Sequence, residues 1–322
     1  MLHSRRRSPR SPDQLCRRTL ADLDFFQRPQ LDHTILITAF SGWSDAAESA
    51  TRAAKFVIRS LKATRFAAID PEEFFDFTQL RPDVSIGIQG HRVLAWPKNQ
   101  FYGWQPDDPS ARGIVVFVGA EPHLRWKRFA SLVMEVATAC NVELMVSLGA
   151  LLDAVPHTRP APVTCSATSP TLGERLEQIR FGPSTYQGPT GVISVLVDAM
   201  NRRGIPAASL WGHAPHYLQV RPNPRVTLAL LQSLQPFMPR PMQLDDLEDA
   251  VADFDKNVGR SLNEQAEIRE YVTQLEEKYD SEGASRGVTN IPGEDAERLV
   301  AEVEDFLRQA KDNGTEGDPP VG

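Results

Sequence analysis

The sequence predicts an α/β domain, a largely parallel sheet covered by helices on both faces, followed by an acidic helical region. Three observations predict it. Short apolar runs alternate with helical apolar patterns from residue 34 to residue 234, the order of repeated strand–helix–strand units. Beyond Leu244, apolar residues recur at steps of three and four, which makes one helical stripe after another. Clusters rich in Gly, Pro, His, Arg and Trp stand just after the apolar runs, where an α/β sheet presents its chemistry.

The elements follow in order. Residues 1–30 carry seven arginines against three aspartates and read as a disordered basic leader. The α/β core is expected over residues 31–240. Thr34 to Thr38 is a buried-strand pattern, and Ser41-Gly-Trp-Ser-Asp45 turns into a helix with Ala50, Ala53, Ala54, Val57, Ile58 and Leu61 on its inner face. Phe66 to Ile69 reads as a strand. Near residues 83–97, Val84 to Trp96 alternates around Gln89-Gly-His91 as an inserted hairpin would. Strand Ile114 to Val118, helix Leu124 to Cys140 and strand Leu144 to Leu148 come next, with a further strand near Val163 to Ala167. A short helix around Leu172 to Ile179, a helix from Gly191 to Arg203, strand Ala207 to Trp211 and helix Arg225 to Leu234 complete the core.

A second region, an acidic helical lid over residues 241–311, carries three stripes. Leu244, Leu247, Val251, Phe254, Val258 and Leu262 form the first, and a capping-box pattern at Ser261-Leu-Asn-Glu264 predicts a break. Ile268, Tyr271, Val272, Leu275 and Tyr279 resume it, and Leu299, Val300, Val303, Phe306 and Leu307 form the third. Ser281 to Gly293 reads as a flexible link and residues 312–322 as a disordered tail. None of these helices can bury its stripe alone, so they must pack on the α/β core, on each other or on a partner chain.

Composition narrows the function class. The chain has 322 residues and a net charge of -7, with the acidic excess confined to the C-terminal region: residues 243–322 hold 22 Asp/Glu and 8 Lys/Arg. No apolar run approaches the roughly 20 residues of a membrane span, and no signal-peptide pattern opens the chain, so a cytoplasmic protein is expected. Cys16, Cys140 and Cys165 lack the spacing of a metal site and give no disulfide framework. The basic leader lacks the aromatic interleaving of a nucleic-acid arm, so nucleic acid is not an expected partner.

Four clusters, together with Asp45 ahead of the first helix, supply candidate ligand-binding residues. In Pro156-His-Thr-Arg-Pro160, Arg159 has the two-pronged geometry for a carboxylate or phosphate, His157 can exchange protons, and Thr158 offers a hydroxyl. The alternative is an ordinary structural ion pair for Arg159. In Tyr186-Gln-Gly-Pro-Thr-Gly191, Gly188 and Gly191 let backbone approach a ligand while Thr190 and the amides of the next helix can bind an anion; alternatively Thr190 is only the helix N-cap. Glu121, after its strand, is either a site carboxylate or an ion-pair partner of Arg125 or Arg159. Asp45 is either a site carboxylate or the cap of the first helix. His216 and Tyr217 follow the last strand and can line a pocket, and a metal held by His213, His216 and His157 lacks a carboxylate partner in the pattern. No catalytic residue is assigned, since no nucleophile stands in an activating motif, and no cofactor is indicated.

Gly42-Trp-Ser-Asp-Ala46, Gly119-Ala-Glu-Pro122 with Arg125 and Trp126, Pro156-His-Thr-Arg-Pro160, Gly188-Pro-Thr-Gly191 and Pro215-His-Tyr217 together resemble the proteasome assembly chaperone family, in its actinobacterial branch. The resemblance covers about residues 33–280. It implies a core similar to the purine nucleoside phosphorylases, a homotrimer in which the inserted hairpin helps subunits associate, and a C-terminal helical lid over a ligand site. Members that dock on the proteasome generally end in a hydrophobic residue, a tyrosine and one last residue, whereas this sequence ends in Pro319, Pro320, Val321 and Gly322. Three functions are therefore expected to compete. They are a trimeric scaffold binding a small polar or anionic ligand, an assembly chaperone for a protein client such as the proteasome, and a hydrolase- or phosphorylase-type enzyme. The enzyme would use His157 or Glu121 for proton transfer and Arg159 with the Thr190 loop to stabilise an anion.

Overall fold

The computed structural model describes residues 22–27, 30–87, 90–108, 111–177, 187–218, 220–263 and 266–282. In chain order its elements are β1 (Leu23–Phe25), β2 (Thr34–Ser41), α1 (Ser49–Leu61), β3 (Thr64–Ile69), β4 (Asp83–Ile86), β5 (Arg92–Ala95), β6 (Asn99–Trp104), β7 (Ile114–Ala120), α2 (Trp126–Ala139) and β8 (Val142–Asp153). They continue through β9 (Val163–Ala167), α3 (Pro170–Glu177), α4 (Val192–Arg202), β10 (Ala207–Pro215), α5 (Pro224–Leu234), α6 (Asp245–Asn263) and α7 (Ala266–Glu282).

Eight strands form one sheet in the order β1-β3-β6-β7-β2-β8-β10-β9. The central four, β7-β2-β8-β10, pair in parallel, and antiparallel strands extend both sides. Five of the eight strands share one direction, so the sheet is mixed but mostly parallel, as expected. Parallel neighbours need helical crossovers, and those crossovers cover both faces. Strand β2 is buried from Thr34 through Phe40, which is why its sequence is a continuous apolar run rather than an alternating one.

Each face has its own core. Under α2 and α4 it is aromatic: Phe101 and Phe117 stack at 3.9 Å between ring centroids, and Phe40 meets Phe117 edge-on at 5.2 Å. Under α1 and α5 it is aliphatic, with Ala50, Ala53, Ala54 and Val57 letting α1 lie close to the strands. Helix α5 starts where predicted because the Asn223 side chain accepts from the amides of Arg225 and Val226, and Pro224 occupies a first-turn position. Helix α6 packs against α5, and α7 against α6; Phe254 and Val258 of α6 close on Leu218. Among the described residues no helix is long and apolar enough to cross a membrane.

Two elements lie outside the sequence expectations. Strand β1 interrupts the expected 1–30 leader: Leu23 is buried and pairs with Ile69 at the sheet edge. Strand β6 joins β3 to β7 and was signalled only by the aromatics Phe101, Tyr102 and Trp104, which favour strands. Ser281 and Glu282, expected to begin a flexible link, finish α7. The third stripe, the tail, Tyr186 and most of the leader lie outside the described residues.

The hairpin forms as expected, with Val84 opposite Leu94 and Ile86 opposite Arg92, as a two-stranded sheet separate from the main one. All eight of its strand residues are exposed, including Val84, Ile86, Val93 and Leu94. Trp96 tethers its end by packing edge-on against Phe77 at 4.8 Å.

Candidate functional site

Because β7, β2, β8 and β10 run in parallel, their ends at Ala120, Ser41, Asp153 and Pro215 lie on one edge of the sheet. That edge collects the clusters singled out in the sequence, but it divides the candidate residues into two groups and leaves a third, Asp45, committed to the framework.

Asp45 follows β2 and is buried. Its carboxylate accepts from the amides of Ala50 at 2.8 Å and Thr51 at 3.1 Å and from the Thr51 hydroxyl at 2.5 Å. These bonds satisfy the free amides at the start of α1. Burial outweighs the bonds and pushes the carboxyl above its ordinary value.

The first group sits above β8 and β10, where α7 crosses the 156–160 loop. Arg159 is gripped from both sides by α7: Nε donates to Asp280 Oδ1 at 2.9 Å, Nη2 to Asp280 Oδ2 at 2.7 Å, and Nη1 to Glu276 Oε1 at 3.3 Å. The Thr158 hydroxyl donates to the same Glu276, and the Tyr279 hydroxyl donates to Pro160 O at 3.0 Å. The pairing raises the Arg159 pKa and lowers that of Asp280. A guanidinium held on a fork by one carboxylate and steadied by a second is the structural ion pair given as the alternative for Arg159, with α7 supplying the carboxylates.

Rings form the rest of that group. The Tyr217 hydroxyl accepts from the His157 amide at 2.8 Å and lies 2.7 Å from His157 Nδ1. Burial, then the charge of Arg225, holds the His157 pKa below its ordinary value, so the neutral ring is favoured and Tyr217 can donate to Nδ1. His216 Nδ1 lies 3.0 Å from the Asp153 carbonyl, which can only accept, so Nδ1 carries the proton and Nε2 faces the Tyr271 hydroxyl at 3.3 Å. Buried His213 is engaged at both nitrogens, by Asp153 Oδ2 at 2.7 Å and the Thr164 hydroxyl at 3.0 Å. Sequence reasoning missed Glu276, Asp280, Tyr271 and Asp153. The first two stand four apart on one helical face, a spacing that fits a two-point clamp.

The second group sits above β7 and β2. Glu121 does not pair with Arg125, which binds Glu73, nor with Arg159; its Oε1 accepts the Val192 amide at 2.8 Å and so caps α4. The N-cap residue of α4 is Gly191 rather than Thr190, whose hydroxyl donates to Ser194 instead. A Cβ at Gly191 would stand 2.6 Å from Glu121 Oε1 and in ordinary contact, 3.4 Å, with the Trp43 ring, so a larger residue has to displace the carboxylate that caps α4. Gly188 and Thr190 are exposed beside this junction. Between Trp43, Asp76, Glu121, His123, Leu124 and Trp126 lies a cleft of about 560 Å³. Trp43, 63% exposed, stands at its rim, placed there by the turn at Gly42, whose φ of +120° suits glycine. His123 Nδ1 accepts the Asp76 amide at 3.0 Å, and hydrogen bonds from Thr78 hold the Asp76 carboxyl below its usual range.

Comparison with known proteins adds to this geometry. The model of the PAC2 family matches residues 39–261. A Streptomyces avermitilis protein of solved structure, described as a PAC2 family protein, is 35% identical over 74% of this chain and 99% of its own, with a TM-score of 0.67. A Mycobacterium tuberculosis structure, described as a proteasome-assembly chaperone homologue, is 33% identical over 74% of this chain and 100% of its own, with a TM-score of 0.67. A second M. tuberculosis structure, of a protein of unknown function, is 26% identical over 86% of this chain and 94% of its own, with a TM-score of 0.71. No curated protein matches.

Proposed function

The chain belongs to the PAC2 family, and from that premise we propose that it is a homotrimeric scaffold that binds a protein client of the proteasome-assembly class in the cytoplasm. The observation that carries this reading is the hairpin. An isolated two-stranded sheet is marginal in water, and this one turns Val84, Ile86 and Leu94 outward, uncovered by any of the described residues. Contiguous exposed apolar surface of this kind marks an interaction site, and a second and third copy of the chain are its occupants in the proposal. The description of the M. tuberculosis homologue supplies the class of client.

Native mass spectrometry of the full chain, beside a Val84→Ser, Leu94→Ser variant, tests the assembly. The expected result is a species at three times the chain mass of 35.8 kDa and a folded monomer for the variant. A wild-type monomer would remove the trimer. The client is tested separately by mixing the protein with purified proteasome α subunits, and a trimer that leaves them unbound would remove the client.

The small polar or anionic ligand is a second reading, favoured by the Arg159 clamp. An anion entering there has to displace Asp280 and Glu276, so α6 and α7 would act as a lid whose own carboxylates occupy the anion position until the ligand arrives. A removable anionic adduct that disappears in Arg159→Ala would support it.

A further inference from the structure

We infer that the cleft above β2 and β7 recognises an organic cation, a guanidinium or a substituted ammonium group. The proposal stands apart from the client reading, because it rests on the cleft alone. Two indoles, Trp43 and Trp126, and two carboxylates, Asp76 and Glu121, face one space of about 560 Å³, and no lysine or arginine is among its described lining residues. The face of an indole attracts a cation through its quadrupole, and a carboxylate beside it adds a direct partner, so the combination favours positive charge and repels anions.

The groups that would reverse this sign are already committed. The positive N-terminal end of α4, an attractive place for an anion, is occupied by Glu121, which accepts from Val192 at 2.8 Å. His123 is engaged at Nδ1, which accepts a backbone amide. Arg125, the next cation along the chain, is paired with Glu73.

The site is also built in advance. Asp76 is held by the amide and hydroxyl of Thr78 at 2.9 and 2.6 Å and by Gln79 Nε2 at 3.1 Å. Trp126 is fixed by its indole donating to Pro122 O at 2.5 Å. Each carboxylate has about four lone-pair positions, so these bonds orient the groups and leave acceptors for an incoming N–H donor. Trp43, by contrast, spends a large apolar ring on solvent in the free protein. A flat guanidinium or a methylated ammonium between it and the carboxylates would recover that surface.

The test uses the full chain labelled with 5-fluorotryptophan, whose five tryptophans give five ¹⁹F signals assigned through Trp43→Phe and Trp126→Phe. Agmatine is titrated, with succinate as the anionic control. The expected result is a saturable shift confined to the Trp43 and Trp126 signals, and affinity lowered roughly three- to fivefold in Asp76→Asn, as expected for one partly exposed charge contact. Uniform shifts of all five signals, shifts with succinate but not agmatine, or affinity indifferent to both Asp76→Asn and Glu121→Gln would overturn the proposal. A blocked tripeptide with a central arginine separates the two sources of the cation. Binding of the peptide assigns the cleft to a partner's side chain, binding of agmatine alone assigns it to a free amine, and binding of neither refutes it.

Discussion

Replacing Asp45 separates a framework carboxylate from a ligand-binding one. In Asp45→Ala, the amides of Ala50 and Thr51 lose their acceptor and the buried Thr51 hydroxyl is orphaned. Loss of a helix cap costs about 1 kcal/mol, and an unsatisfied buried hydroxyl adds about 1–3 kcal/mol, so a total of about 2–4 kcal/mol is expected. Asp45→Asn keeps an acceptor for the amides and sheds the charge that burial opposes, so it should lie within about 1 kcal/mol of the parent. The pH dependence has a definite sign. Because the folded-state pKa is raised above the ordinary 3.8, the folded protein takes up the proton before the unfolded chain does. Ionisation of Asp45 therefore lowers stability as pH rises from 3.8 through the raised value, and the asparagine variant lacks this decline. Urea unfolding of the three proteins, followed by far-ultraviolet circular dichroism at several pH values, measures both effects. An alanine variant within about 0.5 kcal/mol of the parent would refute the capping role. An asparagine variant as damaged as alanine would show that the charge itself is needed, as a ligand site requires.

Three further outcomes follow from the edge of the sheet. The lowered pKa of half-buried His157 means that the unfolded chain protonates first, so stability present above 6.5 is lost as pH falls from 6.5 through the folded value; unfolding midpoints on either side of that window should converge in His157→Gln. Gly191→Ala places a Cβ 2.6 Å from Glu121 Oε1, and unfolding titrations should show a loss of about 1–3 kcal/mol from the overpacked junction. Arg159→Ala removes the contacts to Asp280 and Glu276, so limited proteolysis should cut within α7 faster than in the parent. Arg159→Lys should restore little of this protection, because an ammonium cannot span both oxygens of Asp280, and protection unchanged in both variants would dismiss the clamp.

How much was legible in advance depended on the range of the interaction. Local periodicity located most of the elements, because side-chain period is written within a few residues. Strand β1 escaped because three residues in a charged stretch carry no period, and its reason to form is Ile69, far along the chain. The clusters at strand ends were recognisable because glycine, proline and paired histidines have few other uses there.

By itself the sequence determined an α/β core with a hairpin insertion and an acidic helical extension, and it placed the clusters of polar residues at strand C-termini. Those are consequences of local propensity and burial, which act over one element at a time. Only the tertiary structure decided what each polar group does. Arg159 meets Asp280 across 121 positions and Glu121 meets Val192 across 71. Such pairings are set by the order β7-β2-β8-β10 and by where α4 and α7 land on its edge. A carboxylate or guanidinium looks the same in sequence whether it caps a helix, clamps one or waits for a ligand. Geometry alone assigns the partner that satisfies it.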